Sequence, residues 1–301
     1  MDREIEAPGP TGSLRGQLLT VADKAAPLVL IVPGSGPTDR DGNNELGLST
    51  DTYRLLAEAL QAAGIASLRI DKRGFYGSAA AVDDPEDVTL AAYAQDLRSW
   101  IAVAQRELGR DCLWLAGHSE GGLVALKTAQ RPEGICGLLL LAAPGRPVGT
   151  LLREQLAAYP ANAPYLEQAF AAIDRLEAGE TLPQGGLAAP LQALFRPGVQ
   201  RFMIDLFSYD PAALARGYDG PALILQGGQD LQVKLADADL LAEALPQSRR
   251  VDLPGANHML KAVPEGDLAA NLAAYGDPSH PLAPGVAESL AAFVLETGNP
   301  D

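Results

Sequence analysis

Short apolar runs alternate along this chain with longer segments whose apolar residues recur every three to four positions. The run Pro27 to Val32 is continuously apolar, as a strand covered on both faces requires. Further strand-like runs, not all of them continuously apolar, stand at Ala66–Ile70, Cys112–Ala116, Gly137–Ala142, Pro221–Gln226 and Arg249–Leu253. Between them the helical period predicts helices over Ser49–Ala63, Leu90–Leu108, Gly121–Ala129 and Ala236–Leu245, with a last one from Pro284 to Glu296. Arg3–Ala7 and Leu14–Val21, joined through Pro-Gly-Pro-Thr-Gly-Ser, read as a hairpin. Such alternation predicts an α/β fold: a mostly parallel central sheet with helices on both faces.

The rhythm stops at Pro144. From Gly145 to about Ala215 the pattern is helical, clearest over Leu151–Ala158 and Tyr165–Ala178, and broken by proline- and glycine-rich stretches. The organisation expected is a core of residues 1–144 and 216–301 interrupted by an inserted helical cap over 145–215. The bulky residues Phe195, Phe202, Met203, Phe207 and Tyr209 are expected to pack that cap onto the core, with one or two lining a pocket.

Charge narrows the partners. With 23 basic against 38 acidic residues the 301-residue chain carries −15, which argues against nucleic-acid binding. No run reaches the roughly 18 apolar residues of a membrane helix, and the charged start MDREIEAPGP does not read as a signal peptide. The expectation is a cytoplasmic protein with no membrane partner. Cys112 and Cys136, each in an apolar run, are expected to be buried free thiols, and their spacing does not suggest a zinc site. No metal or cofactor is expected, and no feature specifies an oligomeric state.

The chemistry centres on Gly117-His118-Ser119-Glu120-Gly121, which lies between a predicted strand and a predicted helix. On such a turn the serine hydroxyl is lifted into open space beside a helix N-terminus, where free N–H groups favour developing negative charge. A serine needs a base, and there are three histidines. His118 neighbours the serine, so its side chain should point elsewhere, and His280 lies in a turn-rich segment. His258, in the loop after the last strand, is the candidate base. Asp230, just past the run Pro221–Gln226, is the carboxylate expected to orient it, while Asp237, Asp239 and Asp252 read as solvated or structural. The order Ser119, Asp230, His258 is that of one hydrolase architecture. Gly34-Ser35-Gly36 after the first buried strand lacks the third glycine of a dinucleotide fingerprint, with Asp39 standing where a pyrophosphate would be repelled. It reads instead as an oxyanion loop, pairing the Ser35 N–H, or less favourably that of Gly34, with the Glu120 N–H.

These residues together resemble the α/β-hydrolases. More narrowly, the chain is similar to bacterial serine esterases that carry G-S-G-P-x-D-R-D-G-N, here Gly34 to Asn43, and D-K-R-G, here Asp71 to Gly74. Tyr209-Asp210-Pro211 and Gly255-Ala256-Asn257-His258 extend the resemblance. The lipase H-G is replaced by Pro33-Gly34. The resemblance implies hydrolysis of small, short-acyl esters through an acyl-enzyme, and a supporting role for Gly34, Asp39, Arg40 and Asp41 in holding the oxyanion loop. Thioesterase, peptidase and acyltransferase chemistry, or a non-catalytic ligand-binding role, fit the same pattern. The acidity favours neutral esters unless Arg40, Lys72 or Arg73 reverses the local field.

Overall fold

The structure, a computed structural model, describes residues 2–183 and 185–298. Its eight strands are β1 (Asp2–Pro8), β2 (Ser13–Leu19), β3 (Leu28–Val32), β4 (Ala66–Ile70), β5 (Leu113–His118), β6 (Ile135–Leu141), β7 (Ala222–Gly227) and β8 (Arg249–Leu253). They form one sheet in the order β1-β2-β4-β3-β5-β6-β7-β8. The hairpin β1–β2 is antiparallel and joins β4 antiparallel, whereas every pairing from β4 onward is parallel.

Strands β3, β4, β5 and β7 are buried on both faces, as predicted, whereas β8, charged at three of its five positions, is partly exposed at the end of the sheet. Along β3, Leu28, Leu30 and Val32 enter one core and Val29 and Ile31 the other, the period-two alternation of a pleated strand. Helices α1 (Thr52–Ala62) and α11 (Val286–Thr297) cover one face. Helices α2 (Leu90–Glu107) and α3 (Glu120–Thr128) and, from later in the chain, α9 (Leu235–Ala244) cover the other. A short α10 (Leu268–Ala273) precedes α11.

Between β6 and β7 the described residues form five α-helices: α4 (Val148–Ala157), α5 (Leu166–Glu177), α6 (Ala189–Leu194), α7 (Pro197–Phe207) and α8 (Pro211–Arg216). Gln184, within the glycine-rich break between α5 and α6, lies outside the described residues. Phe195, Met203 and Phe207 are buried and join the core shared with α2 and α3. Asp205 of α7 reaches across to the start of α2, where its Oδ2 accepts from the Leu90 N–H at 2.7 Å. Arg196 and Arg201 pair with Glu86 and Asp87 in the loop before α2.

The cysteines depart from expectation. Cys112 and Cys136 are joined in a disulfide with Cα atoms 5.2 Å apart, and both are only partly buried. The cause is register. Leu113 pairs with Ile135 and Trp114 with Gly137, so Cys136 is an extra residue at the start of β6, beside the residue that precedes β5. Disulfides persist in oxidising compartments, so the bond weighs against the cytoplasmic expectation. Among the described residues no helix is long and apolar enough to cross a membrane.

Candidate active site

In a parallel sheet the loops at the carboxyl ends of the strands share one edge. Five such loops carry the polar residues of interest. Gly34 and Ser35 follow β3, Lys72 follows β4, Ser119 follows β5, Asp230 follows β7 and His258 follows β8.

Ser119 has φ +54° and ψ −124°, a conformation that L-residues rarely adopt and that surrounding packing must impose. The glycines around it make this possible. A Cβ on Gly121 would lie 2.3 Å from the Val32 oxygen, and one on Gly117 2.3 Å from the Gly121 oxygen. The strand, the turn and the helix therefore close on one another with no room for side chains. The Ser119 amide donates to the Leu141 oxygen at 2.9 Å, which ties the turn to β6.

His258 is held by its neighbours. Asn257 clamps the loop through its own N–H to Lys261 O and its Oδ1 from the Lys261 N–H, both at 3.0 Å. Asp230 is buried and faces several donors. Its Oδ1 accepts from the Gln232 and Val233 amides at 2.7 and 2.9 Å, and its Oδ2 accepts from Gln226 Nε2 at 3.2 Å and meets His258 Nδ1 at 2.8 Å. Burial pushes the Asp230 carboxyl pKa upward, but His258 and these hydrogen bonds outweigh it and hold the group below its ordinary value. An ionised carboxylate only accepts, so the His258 proton sits on Nδ1. The lone pair on Nε2 is then left facing Ser119 Oγ, 3.1 Å away. The three residues singled out in the sequence are brought together in hydrogen-bonding order.

His118 lies behind them. The Gly34 N–H donates to the Tyr53 hydroxyl at 3.0 Å, so that hydroxyl donates onward to His118 Nδ1 at 2.8 Å. The proton of His118 is thereby assigned to Nε2, which donates to the His258 carbonyl at 2.7 Å. Burial first, and the nearby His258 second, drive the His118 pKa down to about 3, consistent with a neutral ring. Nothing in the sequence flags Tyr53, which comes from α1. His280 lies elsewhere, its Nε2 against Ala262 O.

With its N–H committed to Tyr53, Gly34 is not a free donor. Among the described residues the amides of Ser35 and Glu120 donate to no protein acceptor. Asp39 Oδ1 accepts from the amides of Asp41, Gly42 and Asn43, each at 2.8 Å. Arg40 donates through Nε to Asp71 at 2.9 Å, and Asp41 pairs with Arg69. Asp39, Arg40 and Asp41 thus fold the loop and fasten it to the end of β4, and none of them lines either cavity described below. Asp237 proves structural, fully buried against Arg146 at 2.8 Å.

Lys72 stands apart from its neighbours in the motif Asp71–Gly74. Its ammonium is buried, donates to the Gly34 carbonyl at 2.6 Å and stands 3.6 Å from Glu120 Oε1. Among the described residues neither Glu120 carboxylate oxygen accepts a hydrogen bond. Desolvation raises the Glu120 pKa and lowers that of Lys72, each opposed by the other's charge.

Two cavities meet at Ser119. One, of about 320 Å³, is lined by His118, His258, Met259, Gln232, Tyr275 and the loop around Leu46. The other, of about 580 Å³, is lined by Glu120, Tyr93 and residues of the helical segment, including Leu151, Phe202, Met203 and Phe207. Ser35, Leu46, Ser119 and Gln232 line both, and Lys72 also borders the larger one.

Residues 29–274 match the model of the alpha/beta hydrolase family. This chain belongs to that family. As an alpha/beta hydrolase it is 26% identical over 234 residues to esterase EstD of Thermotoga maritima, a match covering 75% of this chain. The match takes in only 52% of EstD, so the chain spans about half that protein's length. It is also 31% identical over 190 residues to the putative carbamate hydrolase RutD of Klebsiella pneumoniae, covering 58% of this chain and 68% of that protein. Among solved structures, Est1E from Butyrivibrio proteoclasticus superposes with a TM-score of 0.60 at 18% identity, over 98% of both chains, a likeness of fold.

Proposed function

We propose that this alpha/beta hydrolase is a serine carboxylesterase acting on neutral esters. Ser119 Oγ attacks the ester carbonyl while His258 Nε2 takes its proton, and Asp230 stabilises the imidazolium that forms. The negative charge that develops on the carbonyl oxygen is received by the Ser35 and Glu120 amides. His258 then returns the proton to the departing alcohol, and water releases the acyl group by the same steps in reverse order. The observation that carries this reading is the run from Asp230 through His258 to Ser119, at 2.8 and 3.1 Å, opening onto two cavities. The name of the EstD relative points the same way.

The cavities divide the substrate. The leaving oxygen must collect its proton from His258, so the alcohol belongs on the side that His258 lines, which is the smaller cavity. The acyl group then occupies the larger one, beneath the helices of 145–215, which serve as its cap. At about 580 Å³ that cavity has room for bulky apolar acyl groups as well as the short ones that the resemblance implied. The cations near the site do not reverse the field: Arg40 faces Asp71, Lys72 faces Glu120 and Arg73 faces Asp96. Neutral substrates follow.

Hydrolysis of p-nitrophenyl esters of graded acyl size tests the reading. Ser119→Ala should lower kcat by roughly 10⁴-fold or more. Undiminished turnover in that variant contradicts it, and equal rates on thioesters or amides would move the activity within the same chemistry.

A further inference from the structure

Within the motif Asp71–Gly74, Asp71 faces Arg40 and Arg73 faces Asp96, both away from the proposed reaction. Lys72 differs. It is buried to 5% exposure, and its one hydrogen bond among the described residues goes to the carbonyl of Gly34. That carbonyl belongs to the same planar trans peptide unit as the Ser35 N–H, and in such a unit the two groups point in opposite directions. Whatever fixes the Gly34 oxygen therefore fixes the direction of the Ser35 N–H.

We infer that Lys72 is a positioning residue for the oxyanion hole, aligning both of its donors through one buried cation. This rests on the reading of Ser119 as nucleophile and of the Ser35 and Glu120 amides as its oxyanion donors. On one side a charge-assisted hydrogen bond of 2.6 Å holds the Gly34–Ser35 peptide and polarises it, which strengthens the N–H as a donor. On the other side the same ammonium faces the side chain of Glu120, whose backbone supplies the second donor, across 3.6 Å. Tyr53 takes the Gly34 N–H at 3.0 Å, so the peptides on either side of Gly34 are both held. Gly34 also lies directly behind the nucleophile: a Cβ there would meet Ser119 Cβ at 3.3 Å, so a small shift of this loop is felt at the reacting atom.

The inference explains a costly arrangement. A buried ion pair contributes little to stability once desolvation is counted, and among the described residues this one leaves both Glu120 oxygens without a hydrogen bond. Its alignment of the donors is a benefit realised only when the carbonyl oxygen becomes negative. That places its effect in kcat and leaves KM nearly alone.

Two variants separate alignment from mere support. Lys72→Met removes the cation but strands the Glu120 carboxylate, which should lower the thermal midpoint. Lys72→Met/Glu120→Gln removes both charges and should recover most of that midpoint. In both variants kcat on a p-nitrophenyl ester should fall about 10- to 100-fold, with KM within about twofold. Affinity for a trifluoromethyl ketone, whose adduct with serine places an oxyanion in the hole, should fall in parallel with kcat/KM. Recovery of kcat together with stability in the double variant would overturn the inference, as would unchanged ketone affinity beside a lowered kcat. Labelling of the wild-type protein by a fluorophosphonate, measured first, tells the two failures apart. Absence of label at Ser119 removes the underlying reading, whereas labelled Ser119 with full kcat in the double variant removes only the role of Lys72.

Discussion

The carboxyl edge of the sheet and the helical segment over it face each other across one cavity, yet they are built on different terms. At the edge, positions are fixed by backbone. Ser119 is held at φ +54° between glycines that tolerate no side chain, and Asp230 is gripped by two amides and a glutamine. In the segment, positions are fixed by side-chain packing, with Phe202, Met203 and Phe207 presented from one helix, α7. The lesson is a division of labour. An edge this constrained cannot vary without losing its geometry, whereas a packed helix can change the shape of a cavity while the reacting groups stay in place.

The largest effect that tests this division belongs to the edge. Asp230→Asn exchanges an ionised acceptor for an amide and should release the tautomer of His258, lowering kcat on the order of 10³- to 10⁴-fold in steady-state assays. A loss comparable to that of an ordinary cavity substitution would erase the contrast. The disulfide provides the opposite control, since it joins the amino ends of β5 and β6, far along the strands from Ser119. Cys112→Ala/Cys136→Ala should reduce unfolding free energy by about 3 kcal/mol, read by denaturant titration, and leave kcat unchanged.

His118 supplies a pH test of the edge. Its folded pKa of about 3 lies below the ordinary 6.5, so between those values the unfolded chain binds a proton that the folded chain refuses. Stability from this group is therefore complete above about pH 6.5 and falls, by up to about 1.4 kcal/mol per pH unit, as pH drops through that window. His118→Gln should flatten the slope between pH 6.5 and 5 relative to wild type, and an identical slope would show that His118 does not stay neutral. The smallest effect belongs to the segment. Phe202→Ala should lower kcat/KM for bulky acyl esters about tenfold while sparing acetyl esters, a change of specificity and not of chemistry.

How much of this was legible in the sequence follows the same division. The strands, the turn around Ser119 and the loops bearing Asp230 and His258 are local patterns, and local patterns survive reading in one dimension. The disulfide did not, because Cys112 and Cys136 meet only through the β5–β6 register and the extra residue in β6. The bond from Lys72 to Gly34 spans 38 positions, and Tyr53 of α1 reaches His118 at the end of β5, 65 positions away. His118 was set aside as a base because adjacent side chains diverge, and it does diverge, but its use as a link from Tyr53 to the His258 carbonyl is a tertiary fact. The bulky residues of 195–209 were readable as packing groups. The size of the cavity they help enclose was not, and that size is what brings bulky acyl groups into the proposal beside short ones.

The central claim is that Ser119 is the activated nucleophile of this alpha/beta hydrolase. Intact-mass spectrometry after incubation with a fluorophosphonate, followed by peptide mapping, tests it most directly. One adduct is expected, on Ser119, formed rapidly in the wild type and far more slowly in His258→Ala. No adduct, an adduct elsewhere, or equal rates in the two proteins would contradict it.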